Sequence, residues 1–207
     1  MDSVGGSAAI AAIVLTGGTG RRLGGVDKAG LTVSGCTLLE RALDATRPAA
    51  LTVVVGEPVP TSRPVRWTRE DPPGGGPAAG LLAGLDAARK ALPDLSVLLV
   101  LAVDMPSITA GTMERLLATL RSAPDRTALP DAPADGAVLA DADGRRQTLA
   151  AAYRVASLQR VRPATPAAEH GLAVRRLLEP LRLVDVPARG DEARDVDTWA
   201  DLRALDR

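Results

Sequence analysis

Residues 15–28 read Leu15-Thr16-Gly17-Gly18-Thr19-Gly20-Arg21-Arg22-Leu23-Gly24-Gly25-Val26-Asp27-Lys28, a run suited to holding a polyphosphate. Glycines leave backbone N–H groups unshielded by a Cβ, so several can converge on one anion. Arg21, Arg22 and Lys28 add cations of the kind that pair with phosphate oxygens. The run leaves the apolar stretch Ala8 to Val14, which reads as a buried parallel strand. Strand, glycine turn and three cations in that order point to a nucleoside triphosphate.

Two other phosphate loops fit less well. A P-loop needs two glycines five apart followed by Lys and Ser or Thr, but Lys28 stands between Asp27 and Ala29. The dinucleotide fingerprint needs Gly-x-Gly-x-x-Gly. Gly18 and Gly20 begin it, Leu23 fills the third glycine position, and Gly24 comes one residue late. A nicotinamide site is disfavoured.

Asp104 is the second residue with chemistry in prospect. It ends the apolar run Val97 to Val103, and open parallel sheets bind ligands beyond the carboxyl ends of their strands. A carboxylate there suits Mg²⁺, which takes one or two carboxylates plus phosphate oxygens. The plainer alternative is an Asp bonded within the turn at Pro106. Cys36 reads as a small packed residue and His170 as a surface histidine, since neither has partners at ligand spacing.

The 15–28 segment resembles the signature of the molybdenum cofactor guanylyltransferases, in the sugar-nucleotidyltransferase-like family. It departs from that signature by Thr16 where the family carries Ala and Leu23 where it carries Met. The Gly17-Gly18 and Asp27-Lys28 pairs favour the guanine-using branch over the cytidine-using one. The resemblance implies that Leu15, Thr16, Gly17, Gly18, Arg22 and Lys28 contact nucleotide, with Arg22, Lys28 and Asp104 taking catalytic roles. Leu101 to Pro106 is similar to the family's strand ending, whose Asp binds magnesium. Gly76-Pro77-x-x-Gly80 matches the family's Gly-Pro-Leu-Ala-Gly, implying that Gly76, Pro77 and Gly80 lie beside base and sugar. Asp71 stands at a nucleotide-contacting position, with an ordinary solvated loop acid as the alternative.

Arg194 to Leu202 resembles the Asn/Asp-x-Asn/Asp-Thr-Pro-Glu-Asp-Leu ending of the superfamily, with Trp199 in place of Pro. Asp197 there is either a helix N-cap, worth about 1 kcal/mol, or a second metal ligand facing Asp104. Arg145-Arg146-Gln147-Thr148-Leu149, followed by Tyr153, resembles the acceptor-side segment, with Thr148 for Pro. Arg146 and Gln147 are its acceptor-binding candidates, or the pair of arginines forms a solvated turn. The resemblance implies transfer of GMP from GTP to the terminal phosphate of molybdopterin cofactor, with pyrophosphate released and Mg²⁺ as cofactor. Its partners would be GTP, that acceptor and molybdoenzyme maturation proteins. The alternatives are a related enzyme using CTP or another triphosphate with a different phosphorylated acceptor, or a nucleotide-binding protein without turnover.

These residues need a scaffold, and the pattern of the chain supplies one. Thr37-Leu38-Leu39-Glu40 reads as a capping box opening a helix to about Thr46. Strands are predicted at Leu51 to Gly56, Val65 to Thr68, Val97 to Val103, Ala137 to Ala140, Leu149 to Arg154 and Leu183 to Val186. Helices are predicted at Ala78 to Leu92, Ala110 to Ser122, Ala168 to Leu178 and Thr198 to Leu205. Their alternation predicts an α/β fold, a three-layer Rossmann-like nucleotidyltransferase domain with a mostly parallel sheet, spanning 8–207 after a loose lead-in over 1–7.

Composition narrows the partners. Lys+Arg and Asp+Glu balance at 25 each in 207 residues, so no global field recruits nucleic acid or an anionic membrane. Two Trp, one Tyr and no Phe leave little for stacking single-stranded bases. A single cysteine excludes an internal disulfide and fits a cytoplasmic protein.

Overall fold

The first apolar run forms β1, Ala9–Leu15, hydrogen-bonded in parallel on both sides. The structure is a computed structural model describing residues 9–17, 28–122 and 133–205. A 3₁₀ turn at Lys28–Gly30 leads to a two-stranded hairpin, β2 (Thr32–Val33) and β3 (Cys36–Thr37). Then come α1 (Leu38–Ala45), β4 (Leu51–Val55), β5 (Arg66–Thr68), α2 (Pro77–Ala91), β6 (Leu95–Ala102) and α3 (Ala110–Ser122). The chain continues through β7 (Gly136–Ala140), β8 (Arg146–Arg154), α4 (Val155–Val161), α5 (Pro166–Glu169), α6 (Val174–Leu178), β9 (Leu183–Pro187) and α7 (Trp199–Leu205).

The large sheet runs β5-β4-β1-β6-β8-β7-β9, with β8 alone antiparallel to its neighbours. Its central strands are apolar on both faces, as a sheet covered by helices on each side requires. Along β1, Ala12 and Val14 face α1, α3 and α7, whereas Ala11, Ile13 and Leu15 face α2, α4 and α6. The α/β class and the mostly parallel sheet agree with the strand–helix alternation of the sequence.

Several boundaries differ, each for a local reason. The helix predicted over 168–178 is two short ones. Gly171 adopts φ 75°, and its N–H donates to Gly75 O at 2.8 Å instead of closing a helical turn. The strand predicted from Val97 starts at Leu95, and β8 begins at Arg146 rather than Leu149. The hairpin of β2 and β3, turning at Ser34 (φ 51°) and Gly35 (φ 77°), was not apparent in the pattern because each strand has two residues.

Helix α2 approaches β1 very closely. A Cβ on Gly84 would fall 2.8 Å from Ile13 Cδ1, and one on Gly80 would lie 3.4 Å from Leu15 Cδ2. Two glycines four apart thus let the helix settle onto the strand end. Gly84→Ala is expected to lower stability by about 1–2 kcal/mol, overpacking outweighing the gain in helix propensity. Adding Ile13→Val should recover part of that loss, as read by thermal or urea unfolding.

Candidate active site

Strand order reverses at β1. The chain goes outward through β4 and β5, then crosses back to place β6 on the other side. In open α/β sheets the crevice at such a switch, outside the carboxyl ends of the strands, is where ligands bind. Here the two strand ends are stitched together, with Val103 N–H donating to Leu15 O at 3.0 Å. The polypeptide leaving β1 and the residue after Val103 therefore face each other by construction.

That residue is Asp104. Lys28, only 8% exposed, extends its ammonium to Asp104 Oδ2 at 2.9 Å and to Asp197 Oδ1 at 2.8 Å. Burial disfavours the charged lysine, but the hydrogen bonds to Asp197 and Asp104 outweigh it and hold its pKa above the ordinary value. The two carboxylates remain partly open, at 28% and 42% side-chain exposure. The turn alternative for Asp104 is set aside by this contact: its carboxylate reaches Lys28.

Asp197 is not the helix cap. α7 begins at Trp199, and Thr198 caps it: Asp201 N–H donates to Thr198 Oγ1 at 3.2 Å. Asp201 reaches back, accepting from Thr198 N–H at 2.8 Å and Asp197 N–H at 3.2 Å. This is a capping box with Asp in the place of Glu. Because Thr198 takes the cap, the Asp197 carboxylate is left to face Lys28. Val196, fully buried, donates its N–H to Asp104 O at 2.8 Å and ties the two aspartate-bearing segments together.

The segment carrying Asp197 has a second attachment at Glu192. Its carboxylate accepts from Thr112 Oγ1 at 2.6 Å, from Arg115 at 2.9 and 2.7 Å, and from Arg189 N–H at 2.8 Å. Burial alone would raise its pKa. The bonds from Arg115, Thr112 and the Arg189 backbone prevail and pull it down to about 2.

Around the nucleotide-side motifs the geometry is equally specific. Thr16 spends no donor on the crevice, since its N–H and hydroxyl both donate to Val55 O, at 3.2 and 2.9 Å. Leu15 is buried with its carbonyl engaged by Val103. Gly17 is the first exposed residue of the loop; Gly18 and Arg22 lie outside the described residues. Gly76 takes φ 86° and Pro77 opens α2, with no side chain capping that end. The first N–H groups of this 15-residue helix thus emerge beside the ends of β1 and β4, where a helix terminus favours negative charge. Asp71 lines a different cavity, of about 520 Å³, between β5 and α2 with His170 at its rim. His170 is exposed, as read from the sequence.

A larger cavity, about 850 Å³, contains Asp104 together with Arg145, Arg146, Gln147, Thr148 and Leu149. A bulge in β8 delivers that wall. Val138 pairs with Ala151 but Leu139 with Gln147, so the intervening residues swell from the ladder. Buried Tyr153 braces the bulge by donating its hydroxyl to Thr148 O at 2.7 Å. Arg146 is committed to β9, through Asp185 at 2.6 Å and Leu183 O at 3.2 Å. Arg145 and Arg175 line the same cavity and have no acid at ion-pair distance among the described residues. Arg175, Arg176 and Glu179 also line it and were not singled out from the sequence, and neither was Asp195 within its motif. Arg175 lies in a five-residue helix whose pattern resembles any exposed turn.

A parallel-sheet crevice flanked by a helix N-terminus, paired carboxylates and an arginine-lined cavity defines a phosphate-handling α/β protein. The family model for the MobA-like NTP transferase domain matches residues 12–186, and the chain belongs to that family. A curated relative, the probable molybdenum cofactor guanylyltransferase of Mycobacterium tuberculosis H37Rv, is 34% identical over 187 residues, covering 87% of this chain and 86% of the relative. The crystal structure of molybdopterin-guanine dinucleotide biosynthesis protein A from Archaeoglobus fulgidus is similar, with TM-score 0.67 at 21% identity over 95% of this chain and 96% of that one. The Mycobacterium tuberculosis Rv0371c complex with manganese has TM-score 0.61 at 17% identity, over 96% and 98% of the two chains. Among the described residues no helix is long and apolar enough to cross a membrane.

Glu192 makes acid stability testable. Its folded pKa lies below its ordinary value of 4.5, so its contribution is full above pH 4.5 and disappears as pH falls toward 2. Wild type is expected to exceed Glu192→Gln by on the order of 2 kcal/mol at pH 6. In urea unfolding the two curves should converge near pH 2.

Proposed function

We infer that the protein transfers GMP from GTP to the terminal phosphate of a molybdopterin-type acceptor, releasing pyrophosphate. The observation that carries this reading is the meeting of Lys28, Asp104 and Asp197 at the β1/β6 crevice, in a chain of this family. An acceptor phosphate oxygen attacks the α-phosphorus of GTP. A new phosphoanhydride forms, the bond from the α-phosphorus to the bridging oxygen breaks, and that oxygen leaves with pyrophosphate. The attacking phosphate is already ionised, so no general base is required, and catalysis rests on positioning and charge neutralisation.

In this reading, backbone N–H groups from Gly17 onward, with Gly18 and Arg22, receive the β- and γ-phosphates. Lys28 supplies a buried cation to the same region. Gly76, Pro77 and Gly80 place the start of α2 against the base and sugar, whereas Asp71 stays in the separate cavity between β5 and α2. Gln147 and the arginines of the 850 Å³ cavity receive the acceptor, with Arg145 and Arg175 free to meet an anion while Arg146 holds β9.

Asp104 and Asp197 suit a hard divalent cation because they bring two partly exposed carboxylates to one place, each with a second oxygen besides the one bonded to Lys28, and phosphate oxygens would complete the set. Manganese in the related Rv0371c structure supports a divalent ion, and we assign Mg²⁺ to this pair, where it would neutralise charge developing on the α-phosphate.

Two experiments test the assignment. In thermal-shift titrations with Mg²⁺, GTP is expected to raise the midpoint more than CTP, UTP or ATP, since a ligand specific for the folded state stabilises it by linkage. A larger shift with CTP would replace the base assignment. Lys28→Met, which keeps the buried stem, should fold and lose acceptor-dependent pyrophosphate release by about 10²–10³-fold. Unchanged turnover would remove Lys28 from the site.

A further inference from the structure

The stretch from Ala188 to Thr198 carries Asp195 and Asp197 yet belongs to neither sheet nor helix. Its position is set by a few attachments. Ala188 N–H continues the sheet by donating to Ala140 O at 2.8 Å. At the far end, Val196 N–H bonds Asp104 O and the Thr198 capping box opens α7. Between them Ala193 packs against the core, and Arg194 approaches Asp201 only at 3.9 Å. Among the described residues, two side chains of the segment bond to the body of the domain: Asp197 to Lys28, and Glu192, whose side chain is 11% exposed, to α3.

Both oxygens of Glu192 are used, and the donors come from two places. Thr112 and Arg115 are three apart on α3 and lie on one face of that helix. Arg189 N–H lies within the segment itself, so the carboxylate closes the local turn while fastening it to α3. The Arg115 contact is bidentate, which fixes orientation as well as distance. α3 in turn packs Met113, Leu116, Leu117 and Leu120 into the sheet. A continuous path of contacts therefore runs from the core through Glu192 to a backbone that reaches Asp197 five residues later.

We infer that Glu192, clamped by Arg115 and Thr112, is a positioning residue: it holds the 188–198 segment so that Asp197 faces Asp104. The inference rests on the reading of Asp104 and Asp197 as the cation-binding pair. Glu192 touches no reacting atom, and its influence passes through the backbone to the Asp197 carboxylate. Residues that orient metal ligands from behind typically change metal affinity by about tenfold or more when removed.

The test separates position from stability. Mn²⁺ binding is read by electron paramagnetic resonance in the presence of α,β-methylene-GTP for wild type, Glu192→Gln, Asp197→Asn, and the double variant Arg115→Met with Glu192→Gln. Removing one partner strands a charge, whereas replacing both leaves none, so the double variant should melt near wild type. Glu192→Gln and the double variant are both expected to bind Mn²⁺ about tenfold more weakly, while their affinity for the analogue without metal stays at the wild-type level. Recovery of Mn²⁺ affinity together with melting temperature in the double variant would reduce the clamp to a stabilising contact and overturn the inference. Asp197→Asn binding Mn²⁺ like wild type would overturn the metal reading of the pair, and the inference with it. Loss in Asp197→Asn with wild-type affinity in Glu192→Gln would sink the positioning role alone.

Discussion

A nearly buried ammonium shared by two carboxylates organises this molecule. Lys28 comes from just after the glycine-rich run, Asp104 from the end of a central strand, and Asp197 from the approach to the last helix. Desolvating a lysine is unfavourable unless anions surround it, and here the two aspartates more than offset that penalty. The contact gathers three distant parts of the chain at one point. Each partner is aimed at it by backbone already committed elsewhere: Val103 to Leu15, Val196 to Asp104, Thr198 to its own helix.

The location of that point follows from topology. A parallel sheet whose strand order reverses leaves a gap beyond the carboxyl ends where no crossover helix can sit. The same gap accepts the uncapped start of α2, drawn close because Gly80 and Gly84 carry no side chain toward β1. The edge of a packed sheet thus becomes a place with fixed dipoles, fixed charges and little freedom to rearrange. Transfer of a nucleotidyl group, which demands positioning more than covalent participation by the protein, suits such a site.

On the far side of Asp104 the architecture changes. Antiparallel β8 bulges where its pairing with β7 slips, and the swollen residues wall the larger cavity. Its arginines divide their work according to their neighbours. Arg146 holds the strand beside it through Asp185, while Arg145 and Arg175 keep their charge toward the cavity. An anionic acceptor would meet cations placed by the turn between β7 and β8 and by a single-turn helix.

Residue order alone established the strand-then-glycine-then-cation signature, the alternation behind the three-layer sheet, and the candidacy of Asp104 at a strand end. Those features are local, because periodicity, β-branching and backbone freedom act over a few residues. It left Asp197 suspended between cap and ligand, since a Thr and an Asp adjacent in sequence are equally able to begin a helix. Only the folded chain removed the cap reading, by giving the cap to Thr198 and turning Asp197 toward an ammonium 169 residues away. Likewise the division of Arg146 from Arg145, the arrival of Arg175, and the pairing of Arg115 with Glu192 depend on which surfaces come to face one another. Charge partners separated by dozens of residues leave no trace in spacing; their energies exist only once packing has removed the water between them.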